Sequence, residues 1–317
     1  DLEKQAALHG VELSVTDAVP TLENASLAAG CIGVSILGQG CIDAALLDAY
    51  HALGIRYLST RTIGYDHIDL DHARSIGLRV CSASYAPNGV ADFTVMMILM
   101  CLRHYKQALW RGQVNDFSLT GLQGREMKDL TIGIIGTGRI GAQVARNLSG
   151  FGCRILAYDL RRNPAVEPQV TYVDFDTLLA QSDVITLHMP LLDSNRHIIN
   201  RESIAKMRDG VVIVNCSRGE LADIEALIEG IETGKIGALG MDTVEGDEGI
   251  IHADHRVDIL PNRNWFYLHQ FRNVIMTQHM AFYTDAAVSS MVDCGIGGIC
   301  QMAAGESCPT ELTGPVQ

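Results

Sequence analysis

Three short polar segments each follow an apolar run of strand length, and between them they hold an arginine, a histidine and several carboxylates. They are Asn215-Cys216-Ser217-Arg218-Gly219, the stretch 241–247 with Asp242, Glu245 and Asp247, and Thr277-Gln278-His279. Segments at the C-terminal ends of parallel strands stand where open α/β sheets bind ligands. This trio of residue types suits reduction of a 2-keto acid. The arginine binds the substrate carboxylate and polarises the carbonyl oxygen. The histidine gives that oxygen a proton as hydride reaches the carbon. A carboxylate beside the imidazole raises its pKa and keeps it protonated. A lone histidine after a strand more often packs or caps, so His279 gains its weight from its partners.

Hydride needs a carrier, and the chain supplies a place for one. Gly136-Thr137-Gly138-Arg139-Ile140-Gly141 follows an apolar strand and opens a helical pattern. A bare GxGxxG is weak. Here a second strand follows and ends in Asp159, which is the order that dinucleotide binding requires. Gly136 allows the tight turn, Gly138 the approach of the pyrophosphate, and Gly141 close packing of helix on strand. The Asp159 carboxylate accepts from ribose hydroxyls and repels a 2′-phosphate, favouring NAD over NADP.

The elements that position these groups alternate βα almost throughout, which predicts parallel sheets covered by helices. Strands are expected at 31–36, 55–59 and 78–81, with helices at 43–53 and 69–76. Residues 88–107 read as one buried helix able to bridge two domains. After the polar stretch 111–129 the alternation restarts, with strands at 131–135, 154–158, 184–188, 211–215, 238–241 and 274–277. Residues 245–272 lack a clear period and read as a long functional loop with short helical pieces. The opening residues look helical, which suggests that the first strand of the first domain is absent from the sequence.

Composition excludes several classes. The 317 residues are 47% hydrophobic and 19% charged, a globular balance with room for two cores. A net charge of −13 without a Lys/Arg cluster excludes a nucleic-acid surface. No apolar run reaches membrane-spanning length. Nine cysteines stand singly without a CxxC pair, which fits a reducing, cytoplasmic compartment. His252 and His255 have a spacing that could serve a metal, but no third ligand follows, so no metal is expected.

At this point the chain resembles the D-isomer-specific 2-hydroxyacid dehydrogenases, from the Arg61-Thr62-Ile63-Gly64-Tyr65-Asp66 loop to Phe282-Tyr283-Thr284. The most specific piece is Val214-Asn215-Cys216-Ser217-Arg218-Gly219-Glu220-Leu221, followed by Asp223. The 245–272 loop and the run 279–284 resemble the D-lactate dehydrogenase branch, including the vancomycin-resistance type. The resemblance implies that Arg218 holds the substrate and that His279 is the acid/base. It lines the NAD site with Gly136, Gly138, Arg139, Ile140, Gly141, Asp159, Met189, Pro190, Asn195, Cys216, Ser217 and Arg218, with Asp242 on the nicotinamide side. The backbone of Ile63 and Gly64 holds the substrate carboxylate, and Tyr85 and Phe282 flank its side chain.

Two departures stand out. The family's catalytic glutamate falls at the register of Asp247, one methylene shorter, with Glu245 and Glu248 as neighbours that could take its place. The family's proline before the histidine is Gln278 here. The expectation is then two doubly wound parallel-sheet, Rossmann-like domains with the active site in the cleft between them. Residues 1–100 with 282–317 form the substrate domain and 101–281 the NAD domain. A homodimer reducing pyruvate with NADH is the leading function. The same chemistry on phenylpyruvate or 2-ketoisocaproate is the alternative, and a non-catalytic NAD-sensing protein is the rival from another class.

Overall fold

Runs of β-branched and aliphatic residues form strands because a parallel sheet buries both faces, and β8 (Val211–Asn215, VVIVN) is buried at every position. The computed structural model describes residues 2–38, 40–260 and 262–314. The chain divides into two units, Asp1–Ala86 with Tyr283–Gln317, and Pro87–Phe282. In the first unit, α1 (Leu2–His9) precedes β1 (Gly33–Ile36), α2 (Ala44–Ala52), β2 (Tyr57–Thr60), α3 (Leu70–Ser75) and β3 (Arg79–Cys81). The three strands are parallel in the order β1-β2-β3. Ile42, Leu47, Ile55, Leu58 and Val80 form a core with no exposure.

The second unit begins with α4 (Asn88–Leu102) and α5 (Tyr105–Gln113). It continues through β4 (Thr131–Ile135), α6 (Arg139–Ser149), β5 (Arg154–Tyr158), β6 (Thr171–Tyr172), α7 (Phe175–Gln181) and β7 (Val184–Leu187). Then come α8 (Arg201–Lys206), the strand β8, α9 (Ile224–Glu232), β9 (Ile236–Met241), α10 (Arg263–Gln270) and β10 (Val274–Met276). The seven strands are all parallel in the order β10-β9-β8-β7-β4-β5-β6. The order reverses at β4, so the loops after β4 and β7 face one crevice, where doubly wound sheets take their ligands. The chain returns to the first unit through α11 (Asp285–Ala303).

Helix starts follow their caps. Asp43, Asp174, Asn200, Asp223, Asn262 and Thr284 each accept a backbone N–H from the first turn of the helix that they open. Among the described residues, α11 alone is long and apolar enough to cross a bilayer. Its composition has a local reason: a Cβ at Gly295 would stand 2.8 Å from the Arg61 side chain, and one at Gly298 would stand 2.6 Å from Cys81 Sγ. The small residues let this helix lie on the first unit's sheet.

Two expectations need correction. The single helix over 88–107 is two helices, because His104 adopts a left-handed conformation (φ 49°) that stops α4 and opens α5. The division falls at Ala86/Pro87 instead of Met100/Cys101, because α4 packs against the second unit. There the Cβ of a residue at Gly240 on β9 would touch Met97 and Cys101 of α4 at 3.4 and 3.2 Å. Helix α10 is one of the short helical pieces expected within 245–272, and the two-residue strand β6 was not among the expected strands.

Candidate active site

The glycine turn is built as its spacing demands. Gly136 has φ 92°, and a Cβ there would meet the His188 carbonyl oxygen at 2.7 Å. A Cβ at Gly141 would run into the Gly136 carbonyl, so the first turn of α6 sits directly on the loop. Gly138, the residue at the N-cap of α6, faces open space and offers no side-chain cap. An uncapped helix N-terminus with nothing over its glycine is an anion seat, and a pyrophosphate fits it.

Asp159 at the end of β5 belongs to the same structure. Its Oδ2 accepts from the Thr137 N–H at 2.6 Å and the Thr137 hydroxyl at 3.0 Å, while Oδ1 accepts from Arg161 N–H at 3.0 Å. The Tyr172 hydroxyl donates to Thr137 Oγ1 and accepts from Asn163 N–H, and Asn163 Nδ2 donates to the Thr137 carbonyl. Thr137, Asn163 and Tyr172 thus fix the acid against the turn, and no motif spacing singled them out.

The loop after β7 forms the other lip. Ser217 Oγ donates to the Met189 carbonyl at 2.7 Å, and Asn195 Nδ2 donates to the Pro190 carbonyl at 2.8 Å. Met189, Pro190, Asn195 and Ser217 are therefore one cluster. Beneath it, His188 Nε2 lies 2.9 Å from Thr186 Oγ1 while Nδ1 is sealed off without a partner. Burial pushes the His188 pKa down to about 3. Cys216 is buried, and its thiol pKa is raised by that burial.

Three neighbouring strands deliver the remaining groups. Arg218 follows β8, Asp242 follows β9 and His279 follows β10, and these strands are consecutive in the sheet at the usual spacing of about 4.8 Å. Asn215 at the end of β8 shapes the arginine segment: its Nδ2 donates to the Arg218 carbonyl at 2.7 Å and its Oδ1 accepts from Ser217 N–H at 3.0 Å. Asp242 is 1% exposed and binds the histidine turn. It accepts from the Thr277 hydroxyl at 2.5 Å, from Met280 N–H at 2.9 Å and from Ala281 N–H at 2.8 Å. His279 sits between those anchors at φ 52°, with Phe282 at a ring-centroid distance of 6.3 Å.

The carboxylates of the loop after β9 separate by environment. Glu245 Oε1 lies 2.6 Å from His197 Nε2 and 3.6 Å from Arg196 Nη1, and Oε2 accepts from Ile224 N–H at 3.4 Å. Glu248 is exposed. Asp247 Oδ2 accepts from Val244 N–H at 3.1 Å, and burial pushes its pKa up to about 6, with Glu248, Glu220 and Asp242 adding to the rise. Ile63, Gly64 and Tyr85 belong to the first unit. There Thr62 Oγ1 donates to the Gly64 carbonyl at 2.6 Å, and Ala83 N–H donates to the Thr62 carbonyl at 3.0 Å, fixing the 61–64 loop.

A glycine turn fitted to a pyrophosphate, an acid at the second strand and an Arg/Asp/His edge define an NAD-dependent oxidoreductase. Residues 95–281 match the profile of the D-isomer specific 2-hydroxyacid dehydrogenase NAD binding domain. An aromatic 2-oxoacid reductase of Clostridium sporogenes is 42% identical over 90% of this chain and 86% of its own length. The apo-structure of D-lactate dehydrogenase from Escherichia coli superposes with a TM-score of 0.87 at 36% identity, covering 98% of this chain and 95% of that one. The NAD-complexed D-isomer specific 2-hydroxyacid dehydrogenase of Lactobacillus delbrueckii ssp. bulgaricus gives a TM-score of 0.82 at 30% identity, over 98% and 95% of the two chains. The chain belongs to the D-isomer-specific 2-hydroxyacid dehydrogenase family, in its D-lactate dehydrogenase branch, and is an NAD-dependent enzyme of 2-keto acid reduction.

Proposed function

We propose that Arg218, His279 and Asp247 carry the reduction of a 2-keto acid to its D-2-hydroxy acid. Bound NADH supplies the hydride. Arg218 holds the substrate carboxylate and polarises the carbonyl. His279 donates its proton to the keto oxygen, and Asp247 favours the protonated imidazole. The observation that carries this reading is the Asp242 anchor, which fixes the His279 turn on the strand next but one to Arg218. Of the three candidate acids, Asp247 is the one neither exposed, as Glu248 is, nor paired with His197, as Glu245 is. The Gly136–Gly141 turn, Asp159 and the cluster of Met189, Pro190, Asn195 and Ser217 hold the cofactor, with Arg139, Ile140, Cys216 and Asp242 beside them.

Pyruvate is the smallest substrate that this set suits. A second reading, a bulkier keto acid, is favoured by the similarity to proteins named aromatic 2-oxoacid reductases. The test of the reading is His279→Ala, which should lower kcat by about 10²–10⁴ while NADH binding persists. A variant with wild-type kcat on pyruvate and phenylpyruvate alike would overturn it.

We also propose a homodimer in a reducing, cytoplasmic compartment. All nine cysteines are free thiols. Leu109, Trp110, Phe117 and Leu119, in and after α5, are 53%, 64%, 78% and 83% exposed. A groove of about 980 Å³ lined by Met96, Leu99, Met100 and Tyr105 lies in the same unit. So much exposed apolar surface fits a second copy, and twofold dimers are the commonest assembly. Light scattering should return twice the mass of one chain, and a single-chain mass at micromolar concentration would refute the dimer.

A further inference from the structure

The 245–272 loop brings a second imidazole to the proton donor. His252 Nε2 lies 3.3 Å from the carbonyl oxygen of His279, and a carbonyl only accepts, so the ring nitrogen carries the hydrogen. The ring centroids of His252 and His279 are 6.1 Å apart, those of His252 and Phe282 6.5 Å, and those of His279 and Phe282 6.3 Å. Three rings thus form a nearly equilateral triangle. Phe282 meets both imidazoles edge to face, at 78° and 83°. His252 and His279 both hold left-handed backbone, at φ 63° and 52°, a conformation that costs an L-residue energy and concentrates at functional sites.

A keto acid whose oxygen takes its proton from His279 carries its C3 substituent beside this triangle. A methyl group gains little from ring edges and faces. An aryl group there stacks on or meets edge-on the rings of Phe282 and His252, which strengthens binding beyond buried area. We propose that His252 is a wall of the substrate side-chain site and makes the enzyme prefer aryl 2-keto acids to pyruvate. The proposal rests on the roles given above to His279 and Arg218. It assigns to His252 a part in specificity, through its ring, and none in the proton transfer.

Two substitutions separate the ring from the hydrogen bond. His252→Phe keeps a ring and loses the donor, while His252→Gln keeps a donor and loses the ring. The measured quantity is the ratio of kcat/KM for phenylpyruvate to that for pyruvate. His252→Gln and His252→Ala should lower the ratio roughly five- to tenfold, and His252→Phe should hold it within about twofold of wild type. If His252 merely tethers the loop, His252→Phe and His252→Ala depress both substrates together, the ratio stays put, and the proposal falls. The same ratio read from the Kd of phenyllactate and lactate with the NAD⁺-loaded protein needs no turnover. An enzyme inactive on both acids would therefore fail the earlier reading, while the binding ratio still decides this one.

Discussion

The Glu245 carboxylate lies 2.6 Å from the His197 imidazole, in a cluster that Arg196 closes from the other side. That pairing ties the start of the 245–272 loop to the segment before α8, and it commits the acid two residues before Asp247 in the chain. Asp247→Asn should therefore lower the apparent pKa that limits keto-acid reduction, each unit being about 1.4 kcal/mol of lost pairing with His279. Activity at neutral pH should fall and acidic conditions should partly restore it. Glu245→Gln and Glu248→Gln remove the same charge and should leave the limiting pKa in place. A kcat/KM profile over pH that moves with either glutamine variant, and stays still for Asp247→Asn, would transfer the role.

The same carboxyl opposes folding. Its folded pKa of about 6 exceeds the ordinary 3.8, so the folded state holds the proton more tightly. The contribution of this carboxyl to stability is then fully present below about pH 4 and is lost as pH rises through 6. Asp247→Asn carries no charge at any pH and escapes this loss. Thermal unfolding at pH 8 should find it more stable than wild type by on the order of 1–3 kcal/mol, with the gap closing near pH 4. A less stable variant at pH 8 would contradict the sign.

Asp242 should matter to both the fold and the rate. Asp242→Ala strips the acceptor from Thr277, Met280 and Ala281 at a buried point. Unsatisfied buried N–H groups cost about 1–3 kcal/mol each, so Tm should drop. A histidine displaced by about 1 Å loses roughly 10²-fold in kcat. Wild-type kcat together with a lowered Tm would show that the anchor serves the fold alone.

Cofactor choice tests the other end of the site. The Asp159 carboxylate, held by Thr137 and Arg161 N–H groups, stands where a 2′-phosphate would be repelled. Wild-type kcat/KM should be at least about tenfold higher with NADH than with NADPH. Asp159→Ser should narrow that gap. Comparable values in the wild type would point instead to Arg161 or Arg162 as phosphate ligands.

Much of the second unit was legible because buried parallel strands read as unbroken apolar runs; 131–135, 154–158 and 211–215 are strands at their expected bounds. The break between α4 and α5 was hidden because His104 takes a left-handed turn where no Gly or Pro marks the stop. The glycine turn and Asp159 were legible through their place in a strand–turn–helix–strand order, not through spacing alone. The Asp242 anchor, the Glu245–His197 pair and the place of His252 beside His279 join residues far apart in sequence. Such contacts have no periodicity to betray them. The spacing of His252 to His255 lacks a third ligand and assigns it no role in the sequence, while the structure gives it two ring neighbours.

The half-buried His188 beside the glycine turn has a practical use. An imidazole whose pKa is about 3 keeps one charge state across every pH at which the enzyme is assayed. This histidine, packed against the cofactor loop, is electrostatically silent there, whereas Asp247, with its pKa pushed up to about 6, is not. NADH affinity measured across the same buffers thus serves as an internal reference: an activity change without an affinity change can be ascribed to the proton-donating half of the reaction.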